Sequence, residues 1–97
     1  MRDLKFFDRT GHEVSDILHA ALREDHNYCS VKVSLLADGS VVSTVWLGRG
    51  YSEFYNRWEN FETIKAIPLD NDEFEWKDAV HHKTEAEALE YHNSLID

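Results

Sequence analysis

Val31-Lys32-Val33-Ser34-Leu35-Leu36-Ala37-Asp38-Gly39-Ser40-Val41-Val42-Ser43-Thr44-Val45-Trp46-Leu47 is the stretch that decides the fold. Val31, Val33 and Leu35 alternate with Lys32 and Ser34, the period of a strand with one apolar face. Asp38-Gly39 then supplies a strong hairpin signal, because both residue types accept the backbone geometry of a tight reversal. Val41–Leu47 reads as the return strand. Its Val41, Ser43, Val45 and Leu47 point one way, and Val42, Thr44 and Trp46 the other. Both faces are largely apolar, which places this strand at the centre of a sheet or beneath cover on both sides.

Upstream, Leu4–Phe7 predicts a short first strand, and Asp8-Arg9-Thr10-Gly11 a turn with Asp first and Gly fourth. Val14, Ile17, Leu18, Ala21 and Leu22 fall at i, i+3, i+4, i+7 and i+8, one face of a helix over residues 13–24 that is expected to meet the core. Ser15 or Glu13 stands at its start, and Arg23 in the last turn suits the helix dipole. His19 is expected at the edge of that stripe.

Downstream, Gly48-Arg49-Gly50 ends the return strand. Residues 51–59 show no clean period and read as an aromatic-rich loop with room for one helical turn. Phe61–Ile67 resumes as a strand, stopped by Pro68, which has no N–H for a ladder. Leu69-Asp70-Asn71-Asp72 is a turn. Phe74–Val80 is the next strand, with Phe74 and Trp76 on one face and Glu73, Glu75 and Lys77 on the other. Thr84-Glu85-Ala86-Glu87 fits a capping box. It opens a final helix over residues 85–95, with Ala86, Leu89, Leu95 and Ile96 as its expected buried stripe. The order β-α-β-β-β-β-α, with short turns between consecutive strands, predicts an α+β fold. It is an antiparallel β-meander of four to five strands with two helices packed on one face, in a single domain over residues 1–97.

Ninety-seven residues suffice for one hydrophobic core, and five Phe, four Tyr and three Trp supply material for it. A single cysteine cannot form an internal disulfide, which fits a reducing compartment. Within Tyr28-Cys29-Ser30-Val31, Cys29 reads as a structural thiol. Met1-Arg2-Asp3-Leu4-Lys5 is charged and no apolar leader segment follows it. No run approaches the roughly 20 apolar residues of a membrane span. The expectation is a soluble cytoplasmic protein with no membrane partner.

Charge is uneven. The formal net charge is −9; residues 1–50 carry six basic and seven acidic side chains, residues 51–97 four and twelve. An acidic half repels nucleic-acid backbones, so direct nucleic-acid binding is not expected, and it favours encounters with basic proteins.

The chemistry-bearing residues form no recognisable catalytic set. Among six histidines, the densest group is His81-His82 with His92, near Glu85. Neighbouring strand residues face opposite ways, and the spacing matches no zinc pattern, so no metal site is expected. Gly48-Arg49-Gly50 lacks the helix and lysine of a phosphate-cradling loop. The carboxylates Glu73/Glu75 and Asp70/Asp72 have no evident pocket, and Ser43 lies mid-strand between Val42 and Thr44. Neither an enzyme nor a cofactor is expected. Tyr51, Phe54, Tyr55, Arg57 and Trp58 include the residue types that dominate binding hot spots. They either cap the core beneath a long loop or mark an interface, a homo-oligomer contact included.

Val42-Ser43-Thr44-Val45-Trp46-Leu47-Gly48, followed by Phe61-Glu62-Thr63, resembles a group of small phage and prophage proteins of undefined role. Their shared pattern runs V-S-T-V-W-L-G, an aspartate-histidine pair, a Gly/Pro-containing loop, then F-E-T, and ends in T-E-x-E-A. Lys5-Phe6-Phe7-Asp8 and Thr84-Glu85-Ala86-Glu87-Ala88 are similar too. Arg49-Gly50-Tyr51 stands in place of the aspartate-histidine pair, so a site built on that pair does not carry over. The resemblance implies a mobile-element accessory protein rather than a chemistry.

Charge, aromatics and resemblance together point to a non-enzymatic accessory protein in the host-cell cytoplasm. It would bind a basic host protein or nucleic-acid-binding complex, in the manner of an anti-CRISPR or other host-defence inhibitor. Glu53, Glu59, Asp70, Asp72, Glu73, Glu75 and Asp78 would face the partner's Lys and Arg, with Tyr51, Tyr55 and Trp58 as anchors. The alternative is a small-molecule or nucleotide-sequestering protein. It would stack a base on Trp46, Tyr55 and Trp58 and pair a phosphate with Arg49 or Arg57. A virion or structural interaction protein is the third reading.

Overall fold

Asp8 folds the N-terminal run back on itself. Its carboxylate accepts from the backbone N–H groups of Thr10 and His12, and the reversal pairs β1 (Phe6–Phe7) with β2 (Glu13–Val14). The computed structural model describes residues 5–96; the Leu4 end of the expected first strand lies outside them. The β2 pairing uses up two residues expected to be helical. Ser15 caps what remains, its hydroxyl accepting from Leu18 N, and α1 runs Asp16–Arg23. A second short helix, α2 (His26–Cys29), is capped by Asp25 and leads directly into β3 (Ser30–Leu35).

The expected hairpin forms. β3 pairs antiparallel with β4 (Val41–Trp46) across the Asp38-Gly39 turn, and β4 pairs with β7 (Phe61–Pro68). Between them, β5 (Tyr51–Ser52) and β6 (Arg57–Trp58) make a small separate hairpin where a loop was expected. Asn56, at its tip, has a φ of 54°, a left-handed conformation that Asn tolerates. The strand expected over 74–80 is two strands, β8 (Phe74–Trp76) and β9 (Val80–His82), which pair with successive parts of β7. The main sheet has the order β3-β4-β7, with β8 and β9 sharing the far side of β7. The fold is α+β with an antiparallel meander.

All three described helices gather on the sheet face of Val42, Thr44 and Trp46. Trp46 is fully buried, with the Tyr28 ring edge-on at 5.0 Å and the His19 ring at 5.3 Å. Its indole N–H donates to Phe7 O at 3.0 Å, and Arg23 donates to its carbonyl at 2.6 Å. Trp46, Phe61 and Ala88 form the core, with Leu22, Tyr28, Cys29 and Val31 packed against it. The α1 stripe divides. Leu22 meets the core, but Ile17 and Leu18 are exposed, because the helix turns its His19, Leu22 and Arg23 side to the sheet. His19 occupies the place expected of them: its ring stacks on Phe6, and its Nε2 lies 2.8 Å from Leu47 O.

The C-terminal helix, α3 (Glu85–Ile96), starts as expected, with Thr84 Oγ1 accepting from Glu87 N. Its buried positions are Ala88 and His92 rather than Ala86, Leu89, Leu95 and Ile96. His92 is fully buried because the strands beneath it offer hydroxyls. Its Nδ1 shares a hydrogen bond with Thr44 Oγ1, which bonds Thr63 Oγ1, while its Nε2 shares one with Ser34 Oγ. Burial, with a smaller contribution from Lys32, holds His92 below the usual imidazole range; burial acts likewise on His82.

A pH dependence follows. The unfolded chain protonates these histidines near pH 6.5, whereas the folded chain resists until lower pH. Their contribution is complete above about pH 6.5 and is lost as the pH falls toward their folded values. Thermal melts between pH 7.5 and pH 5.5 are expected to show a falling midpoint, by at most about 1.4 kcal/mol per pH unit for each group. His92→Gln is expected to flatten the slope; an unchanged slope would remove His92 from this role.

Candidate functional site

One face of the sheet carries the described helices, and the other carries a side-chain row that is exposed at both ends, with half-buried Val41 and buried Ala66 between them. The strand registers align Leu35 with Val41, Val41 with Ala66, and Ala66 with Trp76. Strands lie about 4.8 Å apart, so this row spans roughly 14 Å. Next to it run Val33, Ser43 and Ile64, and on the other side Pro68 pairs with Phe74. Leu35 is 76% exposed, Trp76 65%, Val33 60% and Phe74 44%. Four large apolar residues open to solvent on one face exceed what scattered surface hydrophobics explain.

Acidic side chains cluster along the β8 edge of the sheet, where this face ends. Asp70, Asp72, Glu73, Glu75 and Asp78 are all exposed. Asp72 has a φ of 61°, which a small polar residue tolerates in the turn into β8. Glu75 forms an exposed ion pair with Lys77. Alternation in β8 sends Phe74 and Trp76 to the open face and Glu75 to the other, so apolar and acidic groups stand within one three-residue strand.

The loop residues expected at the same surface lie elsewhere. Glu59 is 9% exposed, and its carboxylate is held by Arg57 at 2.9 Å, so it is not an open charge for a partner. Trp58 is half-buried, edge-on to Tyr51 and Phe7, with the Lys83 ammonium 4.6 Å from its ring centroid. It therefore braces the small hairpin. Tyr51 is partly open and hydrogen-bonds Asn56. Tyr55 and Phe54 are exposed, and Glu53 lies beside Tyr51 in the wall of a 360 Å³ cavity. The base-stacking set of Trp46, Tyr55 and Trp58 does not assemble, since Trp46 is sealed in the core.

Beyond the end of the open face is a second cavity, of 620 Å³, lined by Arg49, Tyr55, Arg57, Glu62, Asp78 and His81, with Glu59 behind Arg57. The Arg57 guanidinium bonds Glu59 and lies 4.5 Å from the Tyr55 ring centroid. His81 Nε2 lies 2.9 Å from Glu62 Oε2. Strand alternation separates His81 from His82, as expected; His82 faces the helix side, beside Tyr91. Among the described residues, no group of three or more His, Cys, Asp or Glu side chains is placed to hold a metal ion.

The open apolar row was readable in part. β4 has two apolar faces, and two helices in a chain of this length cover only one. Phe74 and Trp76 were expected on a shared face, but Val33 and Leu35 carried no signal of exposure, because alternation marks a face without saying what covers it.

The fold and surface define a small α+β protein with one covered and one uncovered sheet face. Comparison with known protein families, curated proteins and solved structures returns no match. No described helix is long and apolar enough to cross a membrane.

Proposed function

We propose that the protein works by binding another protein, and that the open face of the sheet with its acidic rim is the binding surface. The observation that carries this is the juxtaposition in β8. Phe74 and Trp76 are exposed at one end of a row that runs through buried Ala66 and half-buried Val41 to exposed Leu35, and Asp70, Asp72, Glu73, Glu75 and Asp78 line the β8 edge of the sheet beside them. An apolar centre with a charged rim is the anatomy of a specific interface, and tryptophan is the residue type most enriched at its hot spots. The rim's sign selects a basic partner and steers it in. A surface of that sign also suits competition with a nucleic-acid backbone. Together with the resemblance to small phage proteins, this supports an accessory protein that occupies the nucleic-acid-binding surface of a host protein, as an anti-CRISPR or other defence inhibitor does. The cytoplasm of the host cell is where such a partner resides.

The test is capture from a bacterial host lysate, with mass spectrometry of what is retained, using the wild type beside Trp76→Ala. The expected result is a basic nucleic-acid-binding protein that wild type retains, that Trp76→Ala loses, and that a nucleic-acid competitor displaces. Equal retention by both forms would contradict the proposal.

A further inference from the structure

We propose that the 620 Å³ cavity beyond the open face binds a small zwitterion, with Arg49 taking its carboxylate and Asp78 its ammonium group. The inference goes beyond the protein-binding reading and does not depend on it. Its volume lies within the range of about 300–1,000 Å³ typical of ligand pockets. The choice of ligand comes from the balance of charges around it.

Two pairs in the wall already hold one another. Arg57 is ion-paired with Glu59 at 2.9 Å, and the His81 ring lies 2.9 Å from Glu62, which orients that carboxylate. Two further charged groups have no such partner. Among the described residues, neither the Arg49 guanidinium nor the Asp78 carboxylate has a hydrogen-bond or ion-pair partner. Arg49 is anchored from its backbone, whose N–H donates to Glu59 O at 3.1 Å, so the strand end fixes its base and leaves its fork free. Asp78 sits in the short link between β8 and β9, and its neighbour Lys77 is fixed by the backbone bond from Lys77 N to Lys65 O.

A polyanion such as a nucleotide does not suit this wall, since Glu62 and Asp78 line it and Arg57 is taken by Glu59. A simple cation leaves Arg49 opposed, and a simple anion leaves Asp78 opposed. A molecule carrying one carboxylate and one ammonium satisfies both, and a free α-amino acid is the smallest such ligand. The guanidinium fork matches a carboxylate in bidentate geometry. Tyr55, 59% exposed with Arg57 packed against it, offers an amphipathic wall for the ligand's side chain. Both recognition groups are open to water, which limits affinity to the range of about 0.1–10 mM.

The experiment is a titration of the full chain, followed by its amide ¹H–¹⁵N spectrum. The probes are glycine, leucine, lysine, glutamate and phenylalanine, each beside its α-amide and its N-acetyl derivative. The expected result is that at least one free amino acid gives saturable shifts at Arg49, Arg57, Asp78 and His81. Its α-amide and its N-acetyl form are expected to bind at least about tenfold more weakly, each having lost one charge. Arg49→Gln is expected to bind the amino acid no better than its α-amide, and Asp78→Asn no better than its N-acetyl form. Dispersed spectra of both variants away from the cavity show that the fold is kept. No saturable shift with any of the five, or equal shifts with the singly charged derivatives, would overturn the proposal.

Discussion

Trp76→Ala is expected to weaken partner binding by about 30-fold or more, equivalent to the ~2 kcal/mol that defines a hot spot. It is expected to leave the melting midpoint nearly unchanged. Trp76 is 65% exposed at the end of a row that reaches Leu35, so truncation removes contact area for a partner and little from the protein's own core. Reversing the rim as Asp70→Lys, Glu73→Lys and Glu75→Lys should act differently. It is expected to slow association by roughly 100-fold at low salt, with a smaller effect on dissociation. Asp72 is better changed to Asn, because its φ of 61° disfavours a long side chain. Surface plasmon resonance against the captured partner separates the two effects. A Trp76→Ala variant that binds as wild type would move the site away from this face.

Gly48→Ala is expected to be among the most damaging single-methyl changes. Gly48 has a φ of +67°, and an added Cβ would stand 2.4 Å from Trp46 Cζ2 and 2.5 Å from Phe7 O. Neither neighbour can yield. Phe7 N donates to Gly48 O, and Phe7 O accepts from the buried Trp46 indole, so these groups tie the first strand to the core. The conformational strain and the overpacking together are expected to cost about 3–5 kcal/mol, against a total stability of about 5–10 kcal/mol for such a domain. That corresponds to a fall of roughly 15 °C or more in the melting midpoint. Gly11→Ala is the control: its φ is +91° but nothing lies within 4 Å of the added Cβ, so only the backbone strain, about 1–2 kcal/mol, is expected. Equal effects of the two would contradict the packing described around Trp46.

The hairpin of β3 and β4 was legible because alternation and Asp38-Gly39 are local signals that tertiary packing does not override. The capping box at Thr84 was legible for the same reason. Each misreading involves information that lies outside its own segment. The stripe on α1 is real, but β2 takes its first residues and the helix turns its His19, Leu22 and Arg23 side to the sheet, so Ile17 and Leu18 face water. The burial of His92 required knowing that Ser34, Thr44 and Thr63 stand beneath it on three separate strands. The hairpin of β5 and β6 is only two residues per strand, too short to show a period, and rests on contacts such as Asn60 Oδ1 accepting from Gly50 N. At the site, acidity of the 69–78 segment was visible from composition. The neutralisation of Glu59 by Arg57 was not, nor was the union of Leu35 with Trp76, which are set side by side only by the register of four strands.

The measurement that bears most directly on the central claim is the affinity for the captured partner across a salt series. An acidic rim facing a basic surface predicts a dissociation constant that rises steeply, by roughly 10²-fold or more, as salt is raised from about 0.05 M to 0.5 M. The rim reversed at Asp70, Glu73 and Glu75 is expected to abolish most of that dependence. An affinity indifferent to salt, or a salt dependence that survives the reversal, would contradict the account.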